Sequence, residues 1–244
     1  MKIIKIDGEI GWTTTARDVK WELARANGDI RVEISSPGGS VFQGIEIFNA
    51  LKNYQGGNVE VVIMSLAASI ASYIALAGDT IKAHDNAVYM IHNAHVFVGG
   101  DHNKLRKTAD IVSGLSNILA KKYIEVTGKD EKEIKAMMDE ETFFYGAEMQ
   151  EAGFVDEIIE TEESKDPEGA KALAHEQFAA CLKEANARYE DADFNEAAAL
   201  LATMEQPKPT DHPVVKEGVQ DEGEANASKV NAIKARLKLK EKTV

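Results

Sequence analysis

Cysteine is almost absent from this 244-residue chain: the one present is Cys181. A lone cysteine cannot close an intrachain disulfide, so the fold is expected to hold without covalent staples, as suits a reducing compartment. Long apolar runs are missing too. The first residues, MKIIKIDGEIGW, alternate and turn acidic early, which excludes a signal-peptide core. The longest apolar stretch, Ile70 to Ala77, is broken by Ser72 and Tyr73 and is too short to span a bilayer. No membrane partner and a cytoplasmic location are therefore expected. Positive charge is scarce: 28 Lys and Arg stand against 41 Asp and Glu, a net charge of −13. Such a chain is repelled by nucleic-acid phosphates and anionic lipid, so no nucleic-acid partner is expected. Internal repeats are absent. His92, His95 and His102 cluster without a carboxylate–histidine ligand motif, so neither a metal nor another cofactor is expected.

What remains is an alternation of strands and helices. Lys2 to Ile6, Ile30 to Ile34, Val59 to Met64, Ala87 to Ile91 and Phe154 to Ile159 read as strands, with Ala94 to Gly100 extended. Helices are expected from Thr13–Thr15 to Asn27-Gly28, over Val41 to Tyr54, from near Ser69, over Asp101 to Val126 with a stop at Gly128, over Lys129 to Met138, and over Gly146 to Ala152. This pattern argues for an α/β domain with parallel sheet. The long Asp101–Val126 helix exceeds what a domain of this size needs for its core. It offers a small and apolar face at Ser113, Gly114, Leu115, Ile118 and Leu119. Composition shifts near Thr161. Residues 1–160 read as the globular domain and 161–205 as an Ala/Glu-rich helical extension. Residues 206–244 read as a disordered linker ending in the basic segment Lys229–Lys242.

Three places carry chemistry. Ser69 sits where a buried strand enters a small-residue turn and then a helix, so its hydroxyl lies at a helix N-terminus. The Ile70 amide there is available to an oxyanion. A serine so placed is commonly just an N-cap, and Ser65 and Ser72 are rivals. Pro37-Gly38-Gly39 follows a strand, and glycine lets the backbone approach a ligand, which makes the Gly39 amide a second candidate donor. His92 ends an apolar strand and is a candidate general base, although most histidines are structural. The acidic run Asp139-Glu140-Glu141 could supply a carboxylate to orient the imidazole, and the residues alone do not choose among the three.

Ile34-Ser35-Ser36-Pro37-Gly38-Gly39-Ser40, Ala67-Ala68-Ser69-Ile70-Ala71-Ser72, Met90-Ile91-His92-Asn93, Glu141-Thr142-Phe143-Phe144 and Ala152-Gly153-Phe154-Val155-Asp156, in that order, resemble the proteolytic subunit of the Clp protease over residues 1 to about 160. The resemblance implies a crotonase-like spiral of ββα units and stacked homo-oligomeric rings interlocked by the long helix. It implies a serine endopeptidase with Ser69 as nucleophile, His92 as base, and the Gly39 and Ile70 amides as oxyanion hole. Glu141 stands where the family usually has aspartate, with Asp139 as rival. The family's Gln-Pro after the histidine is Asn93-Ala94. The chain starts at the first core strand, without the N-terminal helix and axial loop that dock an unfoldase, and it carries an acidic C-terminal extension. This pattern resembles phage and prophage Clp-like head maturation proteases. It implies capsid or scaffold substrates and a place of action in host cytoplasm or prohead. Three alternatives stand beside it. One is a general ATP-dependent Clp subunit fed by an unfoldase, another is a catalytically silent ring scaffold, and the last is a crotonase-type acyl-CoA enzyme.

Overall fold

The computed structural model describes residues 1–160, and the readings made for 161–205 and 206–244 lie outside them. The elements run β1 (Lys2–Asp7), α1 (Ala16–Leu23), β2 (Ile30–Ser36), α2 (Val41–Lys52), β3 (Val59–Ala68), α3 (Ile70–Ala75), β4 (Thr80–His84), β5 (Val88–Ile91), α4 (His102–Thr127), α5 (Glu131–Asp139), β6 (Thr142–Tyr145), α6 (Ala147–Glu151) and β7 (Glu157–Ile159). This is the expected α/β class. β1, β2, β3, β4 and β7 lie side by side and all pair in parallel. β1, β2, β3 and β4 follow one another through α1, α2 and α3, the crossovers that parallel pairing requires.

Strand sequence explains the layering. In β2 the residues Ile30, Val32, Ile34 and Ser36 are buried while Arg31, Glu33 and Ser35 are half-buried. The period of two sends one set into the core, where each isoleucine or valine contributes about 1.5–3 kcal/mol of burial. The other set carries charge. Arg31 on β2 donates to Glu60 on β3 at 2.7 Å, and Lys82 on β4 lies 3.5 Å from Glu60 and 2.8 Å from Glu157 on β7. Pairs this exposed are worth roughly 0–1 kcal/mol each, and their effect is to favour one strand register.

β3 positions the site. Its first half pairs with β4, Glu60 opposite Thr80, and its second half pairs with β5, Ala68 opposite Met90. Between Ile34 and Ser36 the β2–β3 register shifts, so the strand turns from one partner to the other. β6 then closes the edge antiparallel to β5.

Two strands differ from expectation. Thr80–His84 is a strand that the sequence reading passed over, because five residues including Lys82 and His84 carry too little apolar signal. The last strand is also shorter than expected, since Phe154 and Val155 are buried ahead of it, outside the ladder. The long helix is capped by Asp101, whose carboxylate accepts from the Asn103 and Lys104 amides, and it ends at Gly128 with φ 68°. Its buried residues are Leu119, Ala120 and Tyr123, all near its C-terminal end. Among the described residues no helix is long and apolar enough to cross a membrane.

Candidate active site

The strand ladder brings three sequence-distant side chains to one edge. Ser69 follows β3, His92 follows β5, and Glu141 precedes β6. Because Ala68 stands opposite Met90 and Ile91 stands opposite Thr142, the residues just beyond those pairs meet. The Ser69 amide donates to the Met90 carbonyl at 3.0 Å, which carries the ladder one step past the end of β3.

Ser69 lies at the junction of β3 and α3 with φ 56° and ψ −129°, a conformation that costs a non-glycine residue of order 1–3 kcal/mol. Its surroundings enforce the turn. Gly38, at φ 101°, packs so closely that an added Cβ would stand 2.6 Å from Ser69 Cβ and 2.8 Å from the Ala68 carbonyl oxygen. Gly44 on α2 leaves room for Ile70: a Cβ there would meet Ile70 Cγ1 at 2.1 Å. The sharp turn keeps the hydroxyl accessible while the adjoining Ala68 and Ile70 are buried. Ser69 occupies the N-cap position of α3, but its side chain makes no capping bond to the helix.

His92 Nε2 lies 2.7 Å from Ser69 Oγ. Its ring is 5% exposed. Burial lowers the imidazole pKa below the ordinary histidine value, His95 lowers it further by charge repulsion, and Glu141 opposes both. A neutral ring able to accept the Ser69 proton is the result. On the other side, Nδ1 lies 3.7 Å from Glu141 Oε1, longer than a hydrogen bond. The Glu141 side chain is 63% exposed, and its backbone is left-handed at φ 51°. Ser69 and Glu141 are the two non-glycine residues with positive φ among those described.

The rival residues have other partners. Asp139 Oδ1 accepts from Asn93 Nδ2 at 2.7 Å, one residue from His92. Ser65 shares a short hydrogen bond with Ser35. Ser72 is fully buried and donates to the Ser69 carbonyl. His95 meets the His92 ring edge-on at 5.1 Å, and no group of metal-ligand side chains occurs among the described residues.

Gly39 forms a parallel bridge with Ile10 that uses the Gly38 carbonyl and the Ser40 amide. In that pattern the central residue's own N–H points away from the partner strand. An added Cβ at Gly39 would come within 2.3 Å of the Ile10 carbonyl oxygen, so only glycine fits. The Ile70 amide, at the first position of α3, is likewise outside the helical ladder. Beside the site, a cleft of about 460 Å³ opens between Asn93, Ala94, the Val112–Ser116 turn of α4, and Met138 and Asp139 of α5. Sequence reading missed the Asn93–Asp139 pair, Tyr89 and Tyr123. A tyrosine at a core position carries no signal that distinguishes packing from hydrogen bonding.

A hydroxyl at a strained strand–helix turn, a neutral imidazole in hydrogen-bond range and a carboxylate behind it form the arrangement that activates a serine toward acyl groups. The chain is 35% identical over 130 residues to an ATP-dependent Clp protease proteolytic subunit of Chara vulgaris, covering 52% of this chain and 59% of that one. It is 30% identical over 135 residues to proteolytic subunit 1 of the same protease in Leifsonia xyli, covering 54% and 68%, and 30% identical over 155 residues to the Glycine max subunit, covering 62% and 79%. The match thus spans less than two thirds of the Chara protein's length. The model of the Clp protease family matches residues 2–162 of the 244, and the chain belongs to that family.

Proposed function

We propose that the chain is a serine endopeptidase with Ser69 as nucleophile, His92 as general base and Glu141 as the orienting acid. The single observation that carries this reading is the 2.7 Å contact between His92 Nε2 and Ser69 Oγ at a strained turn. In the proposed cycle Ser69 Oγ attacks the peptide carbonyl as its proton passes to His92. The negative oxygen of the tetrahedral intermediate accepts from the Gly39 and Ile70 amides. His92 then protonates the leaving amine, and water releases the acyl group by the same steps in reverse order. Labelling with a fluorophosphonate tests this. The label is expected on Ser69, and Ser69→Ala should lose labelling and about six orders of magnitude in rate while keeping its fold. Labelling at Ser72, or cleavage by the alanine variant, would reject the assignment.

The narrower reading is a phage or prophage head maturation protease, acting on capsid or scaffold proteins in host cytoplasm or prohead as a ring-forming homo-oligomer. It rests on Asn93-Ala94 and Glu141 in place of the residues usual in the family, and on residues 163–244, which lie beyond the family match. A second reading, a subunit working with an ATP-driven unfoldase, is supported by the relatives named ATP-dependent Clp protease proteolytic subunits. The two part on substrate. The first expects limited cleavage of a capsid or scaffold precursor without ATP. The second expects processive degradation only with ATP and an unfoldase. Light scattering checks the ring, which a monomer at micromolar concentration would contradict.

A further inference from the structure

Behind the Ser69 turn lies a closed set of buried hydroxyl groups that the proposed cycle does not use. Ser72 Oγ donates to the Ser69 carbonyl at 2.5 Å, and the Ser72 amide donates to the same oxygen at 3.0 Å. Tyr123 Oη lies 2.8 Å from Ser72 Oγ. Ser72 has one hydroxyl proton, already committed to Ser69, so Tyr123 is the donor in that contact. Tyr89 Oη donates to the Ser72 carbonyl at 2.6 Å. Ser72, Tyr89 and Tyr123 are each fully buried. Burial holds both phenols above their ordinary pKa, so they keep the protons this chain of bonds needs.

The geometry points to Tyr123 and Ser72 as positioning residues for the Ser69 nucleophile: the relay Tyr123 Oη–H to Ser72 Oγ–H to Ser69 C=O holds the strained elbow in its reactive conformation. The Ser69 peptide group on the N-terminal side is already fixed by the Met90 carbonyl. The relay fixes the carbonyl on the other side, so both peptide planes flanking Ser69 are restrained and the φ of 56° is maintained. Tyr123 belongs to α4 and Ser72 to α3, so one of the few buried residues of the long helix is tied through Ser72 to the nucleophile's backbone. This inference rests on Ser69 being the nucleophile.

The full chain and its variants Tyr123→Phe, Ser72→Ala and the double variant are reacted with a fluorophosphonate, and the limiting rate of inactivation is separated from the inhibitor's apparent affinity. Each single variant is expected to lower the limiting rate by about fivefold, the factor of one net buried hydrogen bond, with affinity unchanged. The double variant should be no slower than Ser72→Ala alone, because Tyr123 acts through Ser72. The acidic limb of the rate should stay in place, since His92 is untouched. A purely structural role would instead lower the thermal midpoint and the labelled fraction, with the limiting rate of the labelled molecules as in the wild type, and that outcome overturns the inference. Additive losses in the double variant overturn it too. Tyr123→Phe keeps the ring's volume, and if it nevertheless failed to fold, Ser72→Ala would decide the limiting rate alone. If the wild type is labelled elsewhere than Ser69, the nucleophile assignment itself falls. If Ser69 is labelled equally fast in all variants, only the relay falls.

Discussion

The two ends of the candidate triad are built differently. Ser69 is clamped: its amide, its carbonyl and its Cβ all meet groups of the core, from Met90, Ser72 and Gly38. Glu141 sits at the opposite extreme, 63% exposed and 3.7 Å from the imidazole it faces. A buried, crowded group is held by packing that resists displacement. An exposed carboxylate is screened by water and exerts less force on its partner. The comparison teaches that order at the candidate site is supplied from the Ser69 side, and that substitutions at the two ends should differ in the size of their effect.

Breaking the clamp should have the largest effect after loss of Ser69 itself. Gly38→Ala places a methyl group 2.6 Å from Ser69 Cβ at a φ of 101° that alanine rarely adopts. Overpacking and strain together cost about 2–5 kcal/mol. A displacement of the elbow by about 1 Å costs on the order of 10²-fold in rate. Fluorophosphonate labelling and thermal melting measure both. A Gly38→Ala protein with wild-type labelling would show that the elbow tolerates displacement and that the clamp does not matter.

At the acid end, Glu141→Gln is expected to cost about 10–100-fold in kcat, less than the roughly 10⁴-fold seen when a buried triad acid is neutralised, because this carboxylate is exposed and distant. Asp139→Asn keeps an oxygen that can accept from Asn93 and should cost less than Glu141→Gln. Steady-state kinetics on a small peptide substrate rank the two. The reverse ranking would give Asp139 the orienting role.

How far this was legible in the sequence follows from the same contrast. Ser69 and His92 stood out because each ends a buried strand with a polar residue, and the motif order suggested that they meet. The choice between Asp139 and Glu141 was left open, because it depends on a single left-handed residue at φ 51° that turns one carboxylate toward His92. Local propensity does not foretell a strained backbone at a functional position. Strand Thr80–His84 escaped because its own pattern is short and carries the polar Lys82 and His84. Tyr123 escaped because a buried aromatic residue on a helix reads as packing.

The finest test of the comparison is the direction in which the acidic limb of the rate profile moves. His92 works as a base only when neutral. Burial, then repulsion from His95, lower its pKa below the ordinary value of about 6.5, and Glu141 pulls it up. A second acidic side chain nearby, Asp139, is engaged with Asn93. The limb of kcat/KM should therefore lie below pH 6.5. Glu141→Gln removes the upward pull and should move the limb to lower pH, even as the rate on the plateau falls. His95→Gln removes a downward push and should move the limb up. Stability follows the same sign: the native state binds fewer protons at His92 than the unfolded chain does. This contribution is therefore intact above about pH 6.5 and is lost as pH falls through the folded value. Initial rates on an uncharged peptide between pH 4.5 and 8 separate the cases. A wild-type limb above pH 6.5, or shifts of the same sign in the two variants, would mean that burial does not govern His92 and that Glu141 holds the imidazole more tightly than its exposure implies.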